Sequence, residues 1–210
     1  MKQNVIKVSE FLLQIKSIKL DPANPFTWAS GWKSPIYCDN RKTLSFPVVR
    51  NYILDEFLQI IKNRYPDVEV IAGVATGAIA IGALIADRLN LPFIYIRSKP
   101  KSHGMGNQIE GVVHSGQKVV VVEDLISTGN SSLNAVTALR GIKSEVLGMV
   151  AIFSYEFPLA IKNFKENSCK LTTLSNYPAL IEIAAKKGII SNEHLETLKK
   201  WRNDPANWTP

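Results

Sequence analysis

The sequence predicts an α/β fold: a central, mostly parallel sheet flanked by helices, with a small N-terminal hood above it. Unbroken apolar runs, "VEVIAGV", "PFIYIR", "KVVVVED" and "EVLGMVAIF", alternate with segments of helical composition. Strands without a polar face need cover on both sides, which a parallel sheet obtains from its crossover helices. Ahead of this alternation lies "DPANPFTWASGWKSPIYCDNR", rich in Pro, Gly, Ser and aromatic residues. That composition reads as turns and short extended pieces, a lobe over the main fold.

The elements follow in order. "NVIKVSEFLLQIKS" places Val8, Phe11, Leu12 and Ile15 at helical spacing. Residues from about 20 to 45 form the hood. "FPVVRNYILDEFLQIIKNRYP" is a second helix ending near Pro66. Then come strand "VEVIAGV", helix "GAIAIGALIADRLN" and strand "PFIYIR". An irregular loop and a short extended arm, "GVVHSGQ", lead to strand "KVVVVED". Helix "NSSLNAVTALRG" has Gly141 as its expected C-cap, and strand "EVLGMVAIF" follows. "NYPALIEIAAKKG" and "SNEHLETLKKWRN" close the chain as helices, with Ser191 the N-cap of the last. We expect a single domain over residues 1–210.

With 46% hydrophobic and 20% charged residues the chain has the composition of a globular protein, and its net charge of +7 suits an anionic partner. The cations are scattered, which argues against a dedicated nucleic-acid groove. Cys38 and Cys169 have no metal-ligand spacing and read as free thiols in a reducing compartment. The start shows no signal-peptide core, and the longest apolar run, "AIAIGALIA", is too short to span a bilayer. The expectation is a cytoplasmic protein with no membrane partner.

One stretch carries chemistry. In "KVVVVEDLISTGNSS" two acids, Glu123 and Asp124, end an apolar strand, and Ser127, Thr128, Gly129, Asn130 and Ser131 lead into a helix. Ligands of parallel sheets gather beyond the carboxyl ends of strands. Free N–H groups at the helix start favour a phosphate, and the hydroxyls add donors. The acids would repel that phosphate unless the ligand also offers neutral hydroxyl donors nearby. A ribose 5-phosphate does both. A second stretch, "YIRSKPKSHGMGNQIEG", alternates Arg97, Lys99, Lys101 and His103 with Pro100, Gly104 and Gly106. Taken alone it reads first as a solvated basic loop, the usual fate of such a cluster. As a closing flap it would bring positive charge to a diphosphate and keep water out.

"VVVVEDLISTG" resembles the phosphoribosyl-diphosphate signature of the type I phosphoribosyltransferases. The resemblance implies that Glu123 and Asp124 bind the ribose hydroxyls. It implies also that the signature as a whole, Glu123, Asp124, Leu125, Ile126, Ser127, Thr128, Gly129, Asn130 and Ser131, holds phosphoribosyl diphosphate, with Ser127 to Ser131 around the 5-phosphate. Within that family, Arg97, Lys101, His103 and Gly104 resemble the catalytic loop of the orotate phosphoribosyltransferases, and "FTWASGWKSPIYCDNR" resembles their hood. With "GVATGAI" at residues 73–79 the likeness spans nearly the whole chain. It implies transfer of ribose 5-phosphate from phosphoribosyl diphosphate to orotate in pyrimidine (UMP) synthesis. Arg97, Lys101 and His103 would be catalytic, with His103 acting electrostatically rather than as a base. Magnesium would be held through the diphosphate rather than by protein ligands. A homodimer would share each flap with the other subunit's site.

Ala29 stands where many members of the family carry lysine, Ser98 and Gly77 where some do, and Tyr155 stands near an orotate-binding arginine of some. Ser127 replaces a threonine that contacts the base and keeps its hydroxyl; Arg41 is the residue expected to supply charge to the orotate carboxylate. His114 and His194 have no partner pattern. Trp28 and Trp32 belong to the hood, whereas Trp201 and Trp208 are expected to pack the C-terminal tail. A purine phosphoribosyltransferase and a non-catalytic nucleic-acid-binding regulator of this fold are the alternatives. A dinucleotide-binding domain is disfavoured, since "GVATGAIAIG" lacks G-x-G-x-x-G spacing.

Overall fold

The computed structural model describes residues 3–28, 30–98 and 108–209. Helix α1 (Gln3–Gln14) leads into the hood, where β1 (Ile18–Leu20) pairs antiparallel with β4 (Ile36–Cys38) and β2 (Phe26–Thr27) with β3 (Lys33–Ser34). A 3-10 helix, Asn40–Ser45, connects to α2 (Pro47–Arg64), which starts on a proline whose missing N–H is no loss at a helix start. Strand β5 (Val70–Val74), α3 (Ile79–Leu89), β6 (Phe93–Ile96) and β7 (Ile109–Glu110) follow, then β8 (Lys118–Ile126), α4 (Asn130–Gly141) and β9 (Glu145–Ser154). The chain ends with α5 (Pro158–Glu166), β10 (Leu171–Asn176), α6 (Tyr177–Lys186) and α7 (Asn192–Asn203).

The main sheet has six strands in the order β10-β9-β8-β5-β6-β7, parallel except for β7. The expected mostly parallel sheet and its helical cover are therefore present. Val119 to Val122 and all of β5 are buried, as strands covered on both faces require. The chain leaves β5 through α3 toward β6, and leaves β8 through α4 toward β9, in opposite directions across the sheet. Right-handed crossovers then put α3 and α4 on opposite faces.

Several details differ from the sequence reading. The extended arm is Ile109–Glu110, not residues 111–117, because only those two residues find a partner, β6. Gly141 is the last residue of α4 rather than its cap; the left-handed turn falls at Lys143, φ 61°. Helix α5 and strand β10 are not in the sequence reading; "LTTLSN" is only partly apolar and sits at the sheet edge. Ser191 does cap α7, accepting from the His194 N–H at 3.2 Å.

Candidate active site

Strands β5 and β8 are neighbours from which the chain departs in opposite directions, so a crevice opens beyond their carboxyl ends. The β5–β8 ladder stops at Gly73–Val122, while β8–β9 pairing continues to Ile126–Ser154. The last residues of β8 therefore have one open flank. The result is a cleft of about 400 Å³ between Asp39 and Arg41 of the hood, Thr76 and Gly77 after β5, and the segment around Asp124 and Ser127 to Ser131.

The paired acids are placed differently. Glu123 is buried; one carboxylate oxygen accepts from the Asp124 N–H at 3.0 Å and the other from the Ser132 hydroxyl at 2.8 Å. It ties the first turn of α4 to the end of β8. Asp124 faces Gly77, where any Cβ would collide with its carboxylate. Burial, then the neighbouring Asp124 charge, pushes the Glu123 pKa well above the ordinary value. Burial raises Asp124 as well, against the hydrogen bonding and the Arg41 charge that lower it.

Gly129 begins α4 with φ 82°, a conformation natural to glycine, and the Phe164 ring occupies the space a side chain would need. Among the described residues no side chain caps α4, so its first N–H groups remain available to an anion. The loop is braced from behind by α5: Asn163 Nδ2 donates to the Thr128 carbonyl at 2.9 Å and to Asn130 Oδ1 at 3.0 Å.

A second pocket of about 240 Å³ adjoins the cleft and shares Cys38, Leu125 and Ser127 with it. Its other walls are Thr27, Trp28, Tyr37 and Tyr155. Trp201 is fully buried beneath, with ring centroids 5.6 Å from Trp28 and 5.8 Å from Tyr155, so it joins the tail to the hood. The sequence assigned it to the tail alone; aromatic packing across distant segments has no local signal. Burial, reinforced by Asp124 and Asp39, pushes the Cys38 thiol up, which keeps it protonated.

Arg41 lines the cleft rather than the aromatic pocket, with its Nε 2.7 Å from Asp39 Oδ1. That pairing lowers the Asp39 pKa. Arg97 stands at the neck of the basic loop and pairs with Glu110 at 3.5 Å. Its backbone N–H donates to the Gln108 carbonyl at 2.9 Å, and Gln108 Nε2 donates back to the Arg97 carbonyl at 2.9 Å. The neck adjoins the cleft because Ala75 N–H donates to the Ile96 carbonyl at 2.8 Å. Lys99, Lys101, His103, Gly104 and Ala29 lie outside the described residues. Asn40 and Asn163 escaped the sequence reading, since an isolated asparagine carries no spacing signal.

The Phosphoribosyl transferase domain family matches residues 45–170. Orotate phosphoribosyltransferase from Phocaeicola vulgatus is 59% identical over 200 residues, covering 95% of this chain and 94% of its own. The chain belongs to the orotate phosphoribosyltransferase family. A second member, from Streptococcus pyogenes, is 56% identical over 202 residues, covering 96% and 97%. The solved orotate phosphoribosyltransferase of Aeropyrum pernix superposes with a TM-score of 0.74 at 25% identity, over 88% of this chain and 99% of that one. The fold is shared with Leishmania donovani UMP synthase at a TM-score of 0.78 and 23% identity; this chain covers 42% of that longer protein. The cleft at the β5/β8 switch point lies mostly within the matched span, with Cys38, Asp39 and Arg41 of the hood just outside it.

Proposed function

We propose that the chain transfers ribose 5-phosphate from phosphoribosyl diphosphate to orotate, giving orotidine 5′-monophosphate and pyrophosphate. The observation that carries this is the contact of two sites: an acid-bearing cleft with an uncapped helix start, sharing a wall with a neutral aromatic pocket. Ser127 to Ser131 and the start of α4 hold the 5-phosphate; Leu125 and Ile126 carry the chain to them. Asp124 accepts from the ribose hydroxyls at the cleft, and Glu123 supports it from within. The base stacks among Trp28, Tyr37 and Tyr155, which directs a ring nitrogen toward the anomeric carbon. Ser127 contacts the base from the shared wall. Arg41, paired with Asp39, adds positive charge on the cleft side of orotate.

Reaction forms a bond from the base nitrogen to the anomeric carbon as the bond to pyrophosphate breaks. Negative charge grows on the leaving group, and Arg97, Lys101 and His103 stabilise it; one well-aimed donor in such a site contributes about 3–4 kcal/mol. The attacking nitrogen is already deprotonated in the orotate dianion, so His103 acts as a charge or hydrogen-bond donor. Asp39 is taken by Arg41 and Asp124 by the ribose hydroxyls, so a divalent cation would be carried by the substrate diphosphate rather than by protein carboxylates. Magnesium bound through the diphosphate would neutralise charge on the leaving group.

We place the enzyme in the cytoplasm as a homodimer whose flap closes the other subunit's site. Among the described residues no helix is long and apolar enough to cross a membrane, and both thiols are free. Mixing Lys101→Ala with Asp124→Asn protein should then restore activity that neither has alone. The decisive assay mixes protein, magnesium, phosphoribosyl diphosphate and orotate and follows loss of orotate absorbance. Uracil and hypoxanthine serve as alternative acceptors; turnover of hypoxanthine with none of orotate would reject the reading.

A further inference from the structure

We propose that Lys33 determines acceptor specificity: its ammonium, presented beside the aromatic pocket through Thr27, binds the carboxylate of the base. This rests on the reading of the chain as an orotate transferase. Orotate differs from uracil by a ring carboxylate. The pocket walls, Thr27, Trp28, Tyr37, Cys38, Leu125, Ser127 and Tyr155, include no carboxylate, ammonium, guanidinium or imidazole group. A carboxylate entering such a pocket loses hydration and needs a cation at its edge.

The hood ribbon supplies one. Thr27 and Lys33 are directly opposite in the β2–β3 pair, and opposed residues project to the same face. Lys33 Nζ donates to Thr27 Oγ1 at 2.9 Å, and Thr27 is itself a pocket wall. The backbone under this ammonium is fixed, because Trp201 Nε1 donates to the Lys33 carbonyl at 3.2 Å. Thr27 occupies one of three ammonium donors and is neutral, so Lys33 can accept an anion without giving up a salt bridge. Two other cations among the described residues, near the cleft and the pocket, are engaged. Arg41 pairs with Asp39 at 2.7 Å. Arg202 donates to the carbonyls of Tyr155 at 3.2 Å and Glu156 at 2.8 Å. Recruiting Arg41 means breaking an ion pair; recruiting Lys33 means turning an exposed side chain.

The test compares wild type with Lys33→Met, Lys33→Arg and Thr27→Val in the purified full chain. Losing one charge-assisted contact should raise the orotate KM of Lys33→Met about tenfold or more. The KM for phosphoribosyl diphosphate should stay put, and the preference for orotate over uracil should narrow by the same factor. Lys33→Arg should retain most of the preference, and Thr27→Val should lie between. Salt should weaken orotate binding less in Lys33→Met than in wild type. An unchanged orotate KM and preference, or equal rises in both substrates' KM, would overturn the assignment. A wild type that ignores orotate would instead reject the functional reading, so the two failures are distinct.

Discussion

The side-chain amide of Asn40 donates a 2.6 Å hydrogen bond to the backbone carbonyl of Asp124, joining the hood to the end of β8 across 84 residues of chain. Asn40 is 1% exposed, and its Oδ1 accepts from Ser17 Oγ at 3.1 Å and from Cys38 Sγ at 3.3 Å. One side chain thus links a wall of the aromatic pocket to the acid of the cleft. Asn40→Ala would leave buried partners unsatisfied at about 1–3 kcal/mol. We expect a lower melting temperature together with a reduced kcat, measured by calorimetry and steady-state kinetics; unaltered turnover would contradict the link.

Gly77 gives a sharper separation of binding from folding. A methyl group there meets the Asp124 carboxylate, a side chain that can turn aside but then leaves the cleft. Gly77→Ala is expected to raise the KM for phosphoribosyl diphosphate at least roughly tenfold, with a small change in melting temperature. Isothermal titration with the donor substrate checks it.

Behind the loop 127–131, Asn163 bonds the Thr128 carbonyl and Asn130, and its position on α5 keeps it clear of the cleft lining. Asn163→Ala should weaken binding of ribose 5-phosphate severalfold and spare the KM for orotate. Equal loss for both substrates would mean general loosening of the fold rather than loop support.

Glu123 gives a pH signature. Its pKa is raised in the folded state, from an ordinary 4.5, chiefly by burial. The protonated form is therefore the one folding favours. That contribution is complete below the ordinary value and disappears as pH rises through the folded value. Melting curves of wild type and Glu123→Gln, taken from pH 4 upward, should shift relative to one another in favour of the variant as pH rises. A parallel pair of curves would show that Glu123 titrates normally.

Trp201 is fully buried among Trp28, Tyr155, Phe157 and Tyr177. Trp201→Ala removes the floor of the aromatic pocket and should destabilise by about 3–5 kcal/mol, read from denaturant unfolding. The orotate KM should rise with it.

The apolar runs and the order "VVVVEDLISTG" were enough to place the parallel strands, and to set Glu123, Asp124 and the loop 127–131 between a strand end and a helix start. These are local: strand burial, an acid pair and a helix start are written in consecutive residues, and the chain need only continue from one to the next. The sequence also indicated Ser191 as the cap of α7. It passed over α5, and it missed β10 because an edge strand such as "LTTLSN" needs little apolar patterning. Tertiary folding alone decided that Glu123 turns inward to Ser132 while Asp124 faces the cleft, that Trp201 lies under Trp28, and that Lys33 stands across from Thr27. Each of these depends on which distant segments share one volume, and close packing, not neighbouring residues, selects the direction of a side chain.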